Sequence, residues 1–405
     1  MRETRWRMKL YGSLAVVAAA AALATSAEAQ SIRHVLRTAP ALVGLPGLAS
    51  GPYQNAVDVM LEQAVRNLPL FPAASAAYSF RWNADTNQLE RVGGDVSPFL
   101  FTERGQTMGQ GIWNFSVTWG RYNVECSSGC RLGDDHFPVS VSAAAIRYKA
   151  LTDLDYTVGT FNLTYGVTDD IDVNIAVPIM TLDADLDVSR QDNPSAPVRS
   201  ATRVLEAANL SDMMVRAKYR LFETTGRGGS AYGAGGVRVR IPSGNPNEGL
   251  GTGYGEIGPY LAISATSLLA GMLDSYFDAG IDAGIGDLRR SSGHYSWAVD
   301  MHVPRDDNVW WSRIALAVSL LGRSEFAGLR EPSSISGPHV TPAGFANLPY
   351  LCIDTNRHDY LDATFGLRMQ LYQSFALSLG VFKALNNVGV RPAGWSPLGS
   401  FEATF

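Results

Sequence analysis

The chain has 405 residues, a formal net charge of −5, 18% charged residues, 40 glycines and three cysteines, with a mean hydropathy of −0.01. A mildly acidic balance lacks the basic footprint of a nucleic-acid binder, and three cysteines are too few to hold such a chain together by disulfides. Beyond the first thirty residues no apolar run reaches the roughly 20 residues that a membrane-spanning helix needs.

The chain opens with basic MRETRWRMKL, apolar LAVVAAAAALA and a small-residue site, AEA, ending at Ala29. This order reads as a secretory signal peptide over 1–29, with the mature chain starting near Gln30. Its removal takes four basic and two acidic residues, so the formal charge moves from −5 to about −7. Residues 30–110 form a second unit. In NAVDVMLEQAVRNLP, the residues Val57, Met60, Leu61, Ala64, Val65 and Leu68 share one helical face. Asn55 is the expected cap and Pro69 the stop. YSFRWNADTNQLERV predicts a small hairpin around Asp85–Asn87, and SPFLFTERGQTMGQG leads into the first strand.

From 111 to 405 the period is two. In DIDVNIAVPIM, the residues Ile171, Val173, Ile175, Val177 and Ile179 alternate with Asp172, Asn174, Ala176, Pro178 and Met180. Strands are predicted near 112–122, 154–167, 171–187, 210–222, 231–241, 255–268, 274–286, 294–303, 309–321, 358–371, 375–385 and 395–405. Short connections at 168–170, 223–230, 269–273, 304–308 and 372–374 alternate with longer ones at 123–153, 188–209, 242–254, 287–293, 322–357 and 386–394. That alternation, with an even strand count, is the grammar of outer-membrane barrels. Closure leaves no unpaired strand edge in lipid. The fold expected is all-β, a transmembrane antiparallel up-and-down β-barrel of about 12 strands, with an N-terminal helix and hairpin segment.

Strand parity assigns faces. Phe161, Leu163, Tyr165 and Val167, then Met213, Val215, Ala217, Tyr219 and Leu221, fall on one parity, as do Val237, Val239 and Ile241. Charges gather on the other parity, which is expected to face the lumen because a charge on a lipid face is costly. The expected lumen residues are Arg216, Lys218, Arg220, Arg238, Arg240, Glu256, Asp278, Asp282, Asp300, His302, Arg313, Asp362 and Arg368. Trp113, Tyr165, Tyr219, Tyr276, Trp310, Tyr372, Phe375 and Phe405 fall near strand ends, as interface girdles do. The chain stops on SFEATF, whose final Phe405 resembles the terminal signal read by the barrel-assembly machinery.

Residues 30–110 then have two placements, a plug in the lumen or a periplasmic segment. An apolar helix face needs an apolar partner, and a polar lumen is a poor one. For the lumen charges, Arg216 is expected beside Arg238, giving a basic patch on two strands opposite acids on the next three. Such a patch sets a transverse field that selects permeants; the alternative is structural ion pairing among the wall charges or with the plug.

Candidate chemistry is sparse. His294, Ser296 and Asn308 are similar in spacing to the His-x-Ser pair and later Asn of outer-membrane phospholipase A. Yet Asn308 falls in the turn at the far end of the strand, tens of ångströms from His294 at roughly 3.3 Å per residue. This fails the nucleophile–base–orienter geometry. GRGGSAYGAGGVRVRIPSG lacks the Lys-Ser/Thr ending of a phosphate loop, and Asp134–Asp135 and Asp306–Asp307 read as solvated turns. Cys126 and Cys130 in CSSGC are a possible disulfide pair, leaving Cys352. No catalytic residue, metal site or cofactor is assigned.

Three stretches carry a resemblance. FNLTYGVTDDIDVNIAVPIM, LSDMMVRAKYRLFE and VRVRIPSGNPNEGLGTG are similar to the outer-membrane transporter family of the MetA pathway of phenol degradation. The matching positions are Tyr165–Asp169, Pro178, Asp212, Lys218–Tyr219 and Pro242–Gly244, and the likeness runs from Phe161 to the C-terminus. It implies an outer-membrane channel or facilitator for small aromatic or apolar solutes, without assigning a binding residue. Motion of the plug, or of the Pro/Ser-rich 322–357 loop, is the expected gate. The other readings are a structural or surface-interaction barrel with a closed lumen, and a lipid hydrolase. Expected partners are outer-membrane lipid and lipopolysaccharide, the assembly machinery through Phe405, and a small-molecule permeant, with no nucleic acid.

Overall fold

The computed structural model describes residues 31–44, 51–74, 79–83, 88–92, 101–126, 139–143, 146–192, 195, 197–226, 229–303, 311–327, 357–371, 375–386 and 388–405. The signal peptide, Cys130, Cys352, Asn308, Trp310, Tyr372, both Asp-Asp pairs, most of the 322–357 loop and the side chains of Cys126 and Arg313 lie outside the described residues.

Twelve strands form the wall: β3 (Trp113–Cys126), β5 (Ile146–Gly166), β6 (Ile171–Gln191), β8 (Met213–Gly226), β9 (Gly229–Ile241), β10 (Glu256–Ser267), β11 (Leu273–Gly284), β12 (Ser292–His302), β13 (Trp311–Glu325), β14 (Asp359–Leu371), β15 (Phe375–Ala384) and β17 (Trp395–Thr404). Each pairs antiparallel with the next, and β17 pairs with β3 to close the ring. Phe405 and Trp113 finish the seam by exchanging backbone hydrogen bonds of 2.8 and 2.9 Å. The protein is thus a closed twelve-stranded antiparallel β-barrel. Five accessory strands complete the count: the hairpin β1 (Ser79–Asn83) and β2 (Gln88–Val92), then β4 (Val139–Ala143), β7 (Arg199–Leu210) and β16 (Val390–Pro392). β1 and β2 pair antiparallel from Ser79↔Val92 to Asn83↔Gln88, and the predicted turn residues Asp85–Asn87 lie outside the described residues.

The alternation has a feature that a single-parity reading misses. On β3, β5 and β6 the apolar face changes sides. Below the level where Trp119 pairs with Gly159, and Gly159 with Ile179, Phe115, Phe161 and Val173 point outward. There Thr118, Thr164, Asp172 and Asn174 are buried inward. Above that level Arg121, Asp155, Asp183 and Asp185 point outward, and Tyr122, Val124, Leu154, Tyr156, Leu182, Ala184 and Leu186 are buried inward. The lower stretch of β6, Ile171 to Ile179, has the length of a tilted spanning strand. Its exposed aliphatic belt faces lipid. The upper stretch is built like a soluble sheet, wet outside and apolar within.

The upper face accounts for β7, a strand where a loop is predicted over 188–209. It pairs with β6 from Ile179↔Leu210 to Arg190↔Arg199, yet no apolar alternation marks it, because both its faces are partly or fully exposed. β7 and β8 form one descending strand broken at Ser211 and Asp212, both fully buried. The Asp212 carboxylate accepts from Gly244 N (3.2 Å), Thr252 N (2.9 Å) and Thr252 Oγ1 (2.6 Å), pinning the 242–255 loop to the break.

Helices α1 (Ile32–Thr38) and α2 (Gly51–Asn67) lie inside the ring against the apolar upper wall. Ser31 caps α1 by accepting from His34 N at 3.3 Å. α2 begins at Gly51, so Asn55 is an interior helical residue and not the cap; Pro52 fits the first turn, where no intrahelical donor is needed. The predicted face of Val57, Met60, Leu61, Ala64, Val65 and Leu68 is wholly buried, in one core with Tyr156, Leu182, Leu186 and Val390. The apolar helix face therefore has an apolar partner. Arg37 binds Asp58 with both guanidinium arms and fastens α1 to α2.

The switch predicts opposite outcomes for one substitution type on one strand. Ile175→Arg, in the belt, is expected to cost about 2–4 kcal/mol. Asp185→Arg, above the switch, should stay within about 0.5 kcal/mol. Urea unfolding of the refolded chain in lipid vesicles measures both.

Candidate functional site: a filled lumen

Below α2 the chain runs down the inner wall. Leu70 O accepts from Thr160 Oγ1 at 2.7 Å, Pro72 O from Arg216 Nη1 at 2.6 Å, and Ala74 O from Thr164 Oγ1 at 2.8 Å. Residues 102–108 are buried and non-helical. An extended segment without a strand partner must find acceptors for its N–H groups elsewhere, and wall side chains supply them. Glu103 N donates to Asp278 Oδ2 (2.9 Å), Gly105 N to Ser264 Oγ (2.7 Å), Met108 N to both oxygens of Asp172 (3.1 Å) and Gln110 N to Asp169 Oδ1 (3.0 Å). The approach is close enough to require glycine. A Cβ on Gly105 would stand 2.4 Å from Tyr232 O, and one on Gly166 would stand 1.8 Å from Gly109 O.

Of the charges expected in the lumen, Lys218, Arg240, Glu256, Asp278, Asp282, Asp300 and Arg368 are buried within the ring, and the buried Arg216 pairs in register with Arg238; the side chain of Arg313 lies outside the described residues. The charges do not, however, form a basic side facing an acidic side. Arg216 Nη1 meets Glu103 of the inner segment at 3.0 Å, and Lys218 Nζ meets Asp172 at 3.6 Å. Arg238 Nε meets Asp282 at 2.7 Å, Arg240 Nη1 meets Glu256 at 3.2 Å, and Arg368 Nη2 meets Glu402 at 2.5 Å. Arg220 binds Asp170 and Glu223 at the turn end. His302 Nε2 lies 2.9 Å from Asp274, beside the fully buried Asp300, and Asp362 binds Arg391. Separated charges in an enclosed interior cost several kcal/mol each unless paired, so local pairing replaces the expected transverse field.

Tyr276 belongs to this interior. It is 1% exposed and its hydroxyl donates to Asp274 at 3.2 Å, so it is not a girdle residue. The parity of β11 puts it on the same face as Asp274 and Asp278. At the end of the barrel that holds the Trp113–Phe405 seam, Trp113 and Tyr165 meet at 4.4 Å with their ring planes tilted by 34°, and Phe375 stacks on Phe401 at 5.8 Å.

Ser296 donates to the Asp278 carboxylate, while His294 lies 3.1 Å from Asp282 and within hydrogen-bond reach of Arg238. The serine hydroxyl is thus committed to a carboxylate instead of the imidazole, an arrangement unlike a nucleophile–base pair. Among the described residues no cluster of three or more His, Cys, Asp or Glu side chains could hold a metal ion.

Sequence reading missed the polar side of α2 and the residues that receive it. Arg66 reaches Glu325 at 3.2 Å and Glu256 at 3.7 Å, and Arg290 reaches Glu62 at 2.9 Å. Burial pushes the Glu62 carboxyl above its usual range, against the pull of Arg290 and Arg66. Glu62 and Arg66 are four apart on the face opposite the apolar one, a spacing visible in the sequence.

No family model matches the sequence, and no curated protein matches it. Solved barrels are similar in fold. An outer membrane channel from Pseudomonas putida F1 shares 12% identity over 74% of this chain and 98% of its own, with a TM-score of 0.41. The toluene transporter TbuX of Ralstonia pickettii shares 9% over 74% and 90%, with a TM-score of 0.34. The beta domain of the Bordetella autotransporter BrkA shares 11% over 73% and 100%, also at 0.34. Likenesses this remote carry no argument about solute or mechanism.

Asp172 holds both the inner segment and Lys218. Asp172→Ala is expected to lower stability by about 3–5 kcal/mol, because it takes a carboxylate from the buried Lys218 ammonium and the acceptor from Met108 N. Asp172→Leu with Lys218→Met should recover most of the loss. The urea midpoints of the single and double variants check this.

Proposed function

We propose that the protein is an outer-membrane channel or facilitator for small solutes, aromatic or apolar compounds among them, with the segment from Ser31 to Ile112 as a movable plug. The observation that carries this reading is the division of labour in the lumen. Among the described residues the ring closes through β3 and β17 without strand pairing to the helices or to residues 101–110; Gly111 and Ile112, at the entry to β3, bond to the wall backbone at Gly166. Residues 70–74 and 102–110 are held by ion pairs and side-chain hydrogen bonds, which water can replace, whereas α1 and α2 pack on the wall through the apolar core.

In this reading the lumen pairs tune which solutes pass once the plug shifts, and the chain belongs with the transporter family that its Phe161-onward motifs resemble. Support for that likeness comes from two of its motif positions meeting in space, Asp212 and Gly244 at 3.2 Å. The exposed aliphatic belt supports placement in an outer membrane among its lipids and lipopolysaccharide. Phe405, 66% exposed at the end of the last strand, is accessible to the assembly machinery.

Leu61 on α2 and Leu182 on β6 both lie against Gly249, so cysteines there can be joined by a short, reducible thiol crosslinker in a chain whose own cysteines are serine. Planar-bilayer conductance is expected to be absent while the link is intact and to appear after reduction. Equal conductance in both states would mean that solutes pass around a fixed plug. Silence in both, with insertion verified, would favour the closed structural barrel.

A further inference from the structure

A cavity of about 200 Å³ lies between the end of α2 and the inner faces of β9, β10, β13 and β14. An apolar cavity of roughly 150 Å³ takes a benzene ring, so this one has room for a ring with a small substituent. One side is apolar, with Phe71, Phe101, Leu321 and Phe382. The other is cationic, with Arg66, Arg238, Arg240, Arg323 and Arg391.

The charges on that side do not balance. Arg238 is committed to Asp282, and Arg391 to Asp362. Within 4 Å the remaining three arginines have two carboxylates between them, Glu62 being farther from Arg66 and itself paired with Arg290. Glu256 lies 3.2 Å from Arg240 and 3.7 Å from Arg66; Glu325 lies 3.2 Å from Arg66 and 3.3 Å from Arg323. One guanidinium is in surplus. Arg240 is 7% exposed, and its Nε has no hydrogen-bond acceptor among the described residues. Its guanidinium carbon stands 5.0 Å from the centre of the Phe71 ring, so the unmatched donor and the aromatic floor adjoin. A desolvated surplus cation of this shape is matched by one planar carboxylate accepting from the guanidinium.

We propose that this cavity binds a small aromatic monocarboxylate, its carboxylate on Arg240 and its ring against Phe71, Phe101 and Phe382. The inference deepens the channel reading and rests on it for the meaning of the site. A dianion would exceed the single surplus charge, and a neutral hydrocarbon would leave that charge unmatched.

Isothermal titration of the refolded full chain in detergent micelles tests this with benzoate, benzamide and acetate. Benzoate is expected to bind at least tenfold more tightly than benzamide, which has the same shape without the charge, and than acetate, which has the charge without the ring. Arg240→Gln should weaken benzoate at least tenfold and leave benzamide unchanged. Benzamide equal to benzoate would reduce the site to an apolar hole, acetate equal to benzoate would reduce it to a plain anion site, and no saturable heat would remove it. The comparison in the unaltered chain decides the matter even where the variant fails to fold. Binding is read without flux, so a chain that conducts but does not bind benzoate loses only this inference. One that binds and never conducts loses only the channel reading.

Discussion

Every strand of this barrel has two faces that must suit two different surroundings, and on β3, β5 and β6 those surroundings change at the level of Trp119, Gly159 and Ile179. Below it, hydrocarbon lies outside and a polar interior within; above it, water lies outside and a packed apolar core within. The rest of the architecture follows from that crossing. The helices sit high because only there does the inner wall offer aliphatic side chains, and the non-helical segment sits low because only there does the wall offer carboxylates and hydroxyls. The plug is amphipathic along its length in the same order as the wall.

The lower interior is a second expression of the same economy. A backbone segment surrounded by protein must have its donors satisfied, and acids placed to accept them need cations to be tolerated away from water. Asp172 illustrates the coupling, since it accepts from Met108 N and lies 3.6 Å from Lys218. Glu103 is the converse, a plug carboxylate that offsets the wall's Arg216 at 3.0 Å. Wall and plug charges are therefore one network, and neither is balanced without the other.

Much of this was legible in the sequence because period-two alternation in a barrel is strong and loop lengths alternate. Strand order, lumen parity and the buried face of α2 were all readable from those signals. The crossing itself was written in TLDADLDVS, where aspartate takes over the outward parity and Leu182, Leu186 and Val188 take the inward one. A reading that assigns one parity to lipid throughout a strand passes over it. β7 was hidden for a related reason: a strand wet on both faces carries no alternation to detect. The partners of the charges were not legible, because Arg66 and Glu325, or Arg216 and Glu103, lie far apart in sequence and meet only through the curvature of a closed wall.

The seam between Trp113 and Phe405 sets an order of events. The ring joins its first strand to its last, so it cannot exist as a ring until synthesis has finished, and the loop it closes is nearly the whole barrel. Closing so long a loop is slow relative to local hairpin formation. Meanwhile the helices and the inner segment precede the barrel in the chain and end up enclosed by it. They must gather against the sheet of β5 and β6 while it is still open, or enter a finished ring from one end. Because Leu154, Tyr156, Leu182 and Leu186 of that sheet already supply part of the core of α2, the first route can begin before the ring closes, and Phe382, Val390 and Leu398 complete the core on closure. Assembly then resembles wrapping a wall around its contents, with the contents serving as the former on which the curvature is set.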